Sequence, residues 1–141
     1  MLTNMTPAEA MERINTVVSH AWMVRTFLKH APEFEEDVGL MEIPRTIFDF
    51  ARAVETRYTA GDAEGFLVMA RKKLSKLRAA AQRFASQQPE ISNHTNFQQA
   101  AISLSACVRT IEEVLAAVRP FSQPIAPSDQ DRDSPGAEQA P

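Results

Sequence analysis

The spacing of apolar residues between Leu67 and Phe84 is the strongest constraint in this chain. Leu67, Ala70, Leu74, Leu77, Ala81 and Phe84 recur at alternating steps of three and four. Successive residues turn by about 100° around a helix axis, so these side chains fall on one seam. A strand cannot use such a pattern, because its side chains switch face at every residue. The segment is therefore read as a helix with a continuous apolar seam that other helices must cover.

Three more segments carry the same rhythm. Ile14, Val17, Val18, Ala21, Val24 and Leu28 form one stripe. Leu40, Ile43, Ile47, Phe50, Ala51, Val54 and Tyr58 form a second. Phe97, Ala101, Leu104, Cys107 or Val108, Ile111, Leu115 and Val118 form the last. Strand-type runs of β-branched and aromatic residues are absent, and only four Gly are present. The expected fold is all-α: an antiparallel up-down-up-down four-helix bundle over residues 1–119. From Pro120 the composition shifts to Pro, Ser, Gln and Asp. Residues 120–141 are expected to form a Pro-rich disordered tail, because they hold too little apolar area to offset the entropy of ordering.

Local signals set the helix ends. Thr6-Pro7-Ala8-Glu9 places a hydroxyl at the N-cap, Pro at the first helical position and Glu at the capping-box position. Pro32 ends the first helix near Leu28 or His30. The acidic run Glu33–Asp37 reads as the start of the second helix, which continues to Tyr58 with a kink or short break near Gly39–Pro44. Gly61 suits a left-handed turn and Asp62 caps the third helix. Gln87, Gln88 and Pro89 close that helix, and Ser92 or Asn93 caps the fourth.

At 141 residues with 44% apolar and 23% charged residues, one domain with a sizeable core is expected. The net charge of −3 argues against bulk electrostatic binding to nucleic acid. A single Cys, Cys107, allows no internal disulfide and fits a reducing compartment. There is no signal-peptide pattern at the start and no run of eighteen apolar residues, so a cytoplasmic protein without a membrane partner is expected.

Candidate function rests on departures from this pattern. Arg25 falls inside the first stripe, beside Val18 and Ala21. A guanidinium there needs a carboxylate or carbonyl partner, or snorkels to the edge on its apolar stem, or faces an interhelical cleft as a functional group. Met23 and Phe27 on the first helix, and Met41 and Phe48 on the second, lie off their stripes, as do Val68 and Met69 on the third. Apolar groups on faces that should be wet point to a contact surface, with Met23, Phe27, Met41 and Phe48 as its candidate residues. A row of cations, Arg71, Lys72, Lys76, Arg78 and Arg83, marks the outer surface of the third helix. It reads as a solvated face, or as a candidate grip for nucleic-acid phosphates.

Most catalytic chemistries are missing. No Glu-x-x-His pair, P-loop or nucleophile elbow occurs. His20 and His30 would stand about 15 Å apart along one helix, too far to share a metal. No metal site or cofactor is expected. One enzyme-like pattern remains: Arg25-Thr-Phe-Leu-Lys-His30 resembles the Arg-x4–6-His motif of the HEPN superfamily, although Thr26 stands where that family usually has Asn, His or Asp. The resemblance implies a helical, dimeric ribonuclease in which Arg25 steadies a phosphate and His30 handles a proton. The residues themselves favour a different reading: a non-enzymatic helical interaction module, self-associating or docking another helical protein.

Overall fold

The computed structural model describes residues 4–118. All of its named elements are helices: α1 (Pro7–Lys29), α2 (Pro32–Glu35), α3 (Glu42–Thr59), α4 (Ala63–Ile91) and α5 (Thr95–Ala117). The all-α expectation holds, but five helices stand where four were expected. The sequence-based reading of residues 120–141 lies outside the described residues. Among the described residues no helix is long and apolar enough to cross a membrane.

The helix starts follow the sequence signals in two places. Thr6 Oγ1 accepts the Glu9 N–H at 3.1 Å while Glu9 Oε1 accepts the Thr6 N–H at 3.0 Å, a complete capping box. Gly61 adopts φ 70°, the left-handed conformation, just past α3. Asp62 Oδ1 then accepts the Gly65 N–H at 2.9 Å and opens α4. A side chain at Gly65 would collide with that same carboxylate.

Three boundaries differ from expectation, and two involve proline. The short break expected near Gly39–Pro44 is present, but it spans residues 36–41, so the acidic run does not open the long helix directly. It forms the single turn α2, after which the chain leaves helical geometry until Glu42. Asp37 Oδ1 accepts the Leu40 N–H at 3.1 Å and holds this turn. Pro44 consequently lies in the first turn of α3, where its missing N–H costs nothing, and it starts a helix rather than kinking one. Conversely, α4 runs through Pro89 to Ile91. The buried Gln88 donates from Nε2 to the Ser92 carbonyl at 2.8 Å, and the Ser92 N–H returns to the Gln88 carbonyl at 3.1 Å. Those bonds carry the last turn past the proline. With Ser92 ending α4, His94 takes over as the N-cap of α5, its Nδ1 accepting the Asn96 N–H at 3.0 Å.

The core lies between the four long helices. Its largest fully buried side chains include Phe34, Phe66, Phe84, Ile14, Leu28, Ile47, Leu77 and Leu104. α1 contacts α3, α4 and α5, and α4 contacts α3 and α5. Three contacts tie α1 to α5 along its length. The Met5 N–H donates to the Ala117 carbonyl at 3.1 Å, the Cys107 thiol to the Val17 carbonyl at 3.7 Å, and the Phe27 ring meets Phe97 edge-on with centroids 5.0 Å apart.

The short α2 is a plug. It places Phe34 edge-on to Phe84 of α4 at 5.9 Å and stacked on Phe97 of α5 at 6.2 Å. Phe34→Ala should lower stability by about 3–5 kcal/mol, the usual cost of emptying a buried aromatic site. Chemical denaturation followed by circular dichroism measures it.

Candidate functional site

The outer face of the α1–α3 pair gathers most of the groups that the sequence singles out. Trp22 and Arg25 stand one helical turn apart on α1, and Phe48 comes across from α3. The Trp22 and Phe48 rings lie 5.8 Å apart, tilted by 37°. The Arg25 Cζ sits 4.2 Å from the Trp22 centroid and 5.1 Å from that of Phe48. Arg52 approaches Phe48 from the next turn of α3, at 5.6 Å.

Of the alternatives open to Arg25 on the apolar stripe, the structure shows no carboxylate pair among the described residues and a guanidinium at the edge of the stripe. Its aliphatic stem follows the stripe, and its guanidinium lies over electron-rich ring faces, which attract a cation through their quadrupole. Among the described residues, Arg25, Lys29 and Arg45 have no carboxylate within 4.0 Å. Together with Met41, Pro44 and Phe48 they line a groove of about 280 Å³ between α1 and α3.

A second, larger hollow of about 570 Å³ lies nearer the start of α1 on the same pair of helices. Val18, Trp22, Met23 and Ala51 supply its apolar lining, and Arg52, Glu55 and Tyr58 its α3 edge. Met23 is 64% exposed, unusual for so large an apolar group. Arg52 and Glu55 pair at 3.2 Å, both well exposed, a contact worth little by itself. Beyond them Tyr58 donates its hydroxyl to Glu12 Oε1 at 3.0 Å. That hydrogen bond, and secondarily the charge of the same carboxylate, pushes the phenol above its ordinary value. The face thus has two unlike ends. One carries Arg25, Lys29 and Arg45; the other carries Glu12, bonded to Tyr58, and Glu55, paired with Arg52.

The other candidates distribute as follows. Met41 and Phe48 share the cationic groove, and Met23 lies further along the same face. Phe27 does not join them: it is half-buried against Phe97 on the α5 side. Met69 is partly buried on the core, while Val68 stays 59% exposed on α4. Within the basic row of α4, Arg71 donates from Nη2 to the Leu115 carbonyl at 3.3 Å, and burial lowers its pKa. Arg78 pairs with Glu112, so both arginines fasten α4 to α5. Arg83 donates from Nε to Gln87 Oε1 at 3.2 Å, and Lys72 and Lys76 face solvent.

The HEPN-like pair is split. Arg25 faces α3, whereas His30 is the exposed C-cap of α1. Cys107 is buried against the Val17 carbonyl, and burial pushes its thiol up, away from nucleophilic reactivity. Among the described residues no group of three or more His, Cys, Asp or Glu side chains is arranged to hold a metal ion. Trp22 lies at the centre of this face and is missing from the sequence-based candidates. Its i, i+3 relation to Arg25 is the signal that marks it. No known protein family matches the sequence, and no curated protein and no solved structure matches the chain.

Two outcomes check this geometry. Arg25→Gln should cost about 0.5–1 kcal/mol of stability, the worth of a cation–π contact at a partly exposed site. It should also shift the fluorescence of Trp22, the only tryptophan. Tyr58 is the only tyrosine, so its phenolate absorbance reads one group. The folded protein should hold that proton to higher pH than the unfolded chain. The stabilisation from this pairing is intact below the ordinary phenol pKa and is lost as pH rises through the raised folded value, and Tyr58→Phe should abolish that loss.

Proposed function

We propose that this protein is a non-enzymatic helical interaction module that self-associates through the α1–α3 face. In this reading the four long helices pack up-down-up-down, each antiparallel to the next. The contacts of Met5 with Ala117 at one end of α1, and of Phe27 with Phe97 at the other, support that packing for α1 and α5.

The observation that carries the reading is the arrangement of charge around an exposed apolar centre. Met23, Trp22 and Phe48 lie between a cationic end, whose three cations have no carboxylate partner within the described part of the protomer, and an acidic end. A two-fold interface brings the same patch of both copies together in reverse. With its axis near Ser19, the cationic end of one copy would face the end of the other that carries Glu12 and Glu55. The apolar centres would close on each other.

The available area fits such a contact. At 1.5 Å per residue α1 is about 35 Å long. Two helices about 9 Å apart, with their side chains, make a face roughly 20 Å wide. That gives about 700 Å² per copy, close to the roughly 800 Å² per partner of a standard interface. The sparse apolar centre predicts reversible association in the micromolar range rather than an obligate dimer.

Sedimentation equilibrium tests this. The wild-type mass should rise with concentration from the 15.7 kDa monomer toward twice that value, and should fall back as salt screens the charged ends. Met23→Glu should hold the protein monomeric with unchanged helicity, because Met23 makes little core contact. A strict wild-type monomer at high micromolar concentration removes the proposal.

A further inference from the structure

Arg25, Lys29 and Arg45 converge on one groove, and among the described residues none of them has a carboxylate within 4.0 Å. Helix electrostatics account for only part of this. Lys29 stands in the last turn of α1, where the helix dipole favours a cation. Arg45 stands in the first turn of α3, where the dipole disfavours one. The nearest carboxylates in sequence are turned to other uses. Glu42 lines a separate hollow with Lys76 and Arg83 of α4, and Asp37 accepts the Leu40 N–H. We propose that this groove binds a small phosphate monoester whose organic part is a single ring or a short alkyl chain.

The chemistry of the lining selects that class. A phosphate monoester carries a charge of about −1.5 to −2 near neutral pH and three strong acceptor oxygens. A carboxylate would neutralise only one of the three cations. Two guanidinium forks match phosphate oxygens in pairs, and a lysine adds a point charge. Arg25 is already held over two rings, 4.2 and 5.1 Å from their centroids, so its head has little freedom left to lose on binding. The backbone does not compete for the role. In the first turn of α3 the N–H groups of Glu42, Ile43 and Arg45 donate to the carbonyls of Gly39, Leu40 and Met41, and Pro44 has none. The anion is therefore held by side chains rather than by a helix end.

Met41, Pro44 and Phe48 give the same groove an apolar side, which a bare inorganic anion would leave uncovered. Size sets the limit on what lies there. About 280 Å³ is just under the roughly 300–1,000 Å³ of sites for drug-sized ligands. The groove shares no lining residue with the larger hollow on the same face. The stack of Trp22, Arg25 and Phe48 stands between the two, so the groove ends there instead of running on as a track for a polypeptide. The site is complete within one protomer, and this goes beyond self-association without depending on it.

NMR titration of dilute full-length protein with phenyl phosphate tests the proposal. The Nε–H signals of Arg25 and Arg45 and the amide of Lys29 should shift saturably, with half-saturation at about 0.1–1 mM. Benzoate has the same ring with one charge, and inorganic phosphate has no ring; each should bind roughly tenfold more weakly. Arg45→Gln and Lys29→Gln should each weaken phenyl phosphate by roughly tenfold, the loss expected for one charge-assisted hydrogen bond, with unchanged circular dichroism. Lys72→Gln, on the exposed face of α4, should bind like wild type. The proposal is overturned by a lack of saturable shifts, by shifts centred elsewhere, or by Arg45→Gln binding as wild type does. Benzoate or inorganic phosphate binding as tightly as phenyl phosphate overturns it too. So does a phosphotyrosine peptide that binds far more tightly than phenyl phosphate, because the occupant is then a protein.

Discussion

Helix α1 has to satisfy three neighbours at once. It packs against α3, α4 and α5, so its buried arc is wider than a single stripe, and most of its circumference is spoken for. Ala10, Ile14, Ala21, Val24 and Leu28 face the interior. Phe27 is drawn to one side by Phe97 of α5, and Trp22 to the other by Phe48 of α3. A helix in that position can hold Arg25 only at the border of its buried arc. There the stem is covered and the charged head lies over the two rings that mark the seam with α3. The site is thus a product of the packing rather than an addition to it.

The choice of an aromatic partner has a physical logic. Pairing a half-buried guanidinium with a carboxylate would desolvate two charges, and their attraction only partly offsets that cost. A ring face needs no desolvation of a second ion, and it leaves the edge of the guanidinium, with its N–H donors, directed outward. Lys29 and Arg45 line the same groove, with no carboxylate within 4.0 Å among the described residues. At the far end of the same face, Glu12 is already committed to Tyr58. The face is polarised along its length, and polarisation of this kind specifies orientation more than it adds affinity.

Periodicity and capping chemistry made the helices legible in the sequence, and these act locally. The Thr6–Glu9 box, the turn at Gly61 and the cap at Asp62 all appear where the residues dictate. Proline was harder to read, because its effect depends on distance from a helix end that tertiary contacts decide. Pro44 is harmless in a first turn and Pro89 is tolerated in a last one, where Gln88 and Ser92 share the remaining bonds. The candidate surface was half legible. Met23, Met41 and Phe48 share one face, but a single-stripe view sent Phe27 to solvent when α5 covers it. The spacing marks Arg25 as anomalous and allows for a snorkelling stem, but it does not name the ring faces its head lies over, one of which, Trp22, is a single turn away. The basic row on α4 looked like one surface because sequence spacing carries no knowledge of α5, where Leu115 and Glu112 occupy two of its arginines.

The backbone pairing of Met5 with Ala117 and Val118 has a geometric outcome. It brings the incoming and outgoing strands of polypeptide together at one pole of the molecule. Whatever flanks the described residues on either side emerges from neighbouring points there. The opposite pole carries α2, His30 and the turn between α4 and α5. A tether attached at either flank would then hang the bundle by the same corner, and both attachments would leave the α1–α3 face pointing the same way.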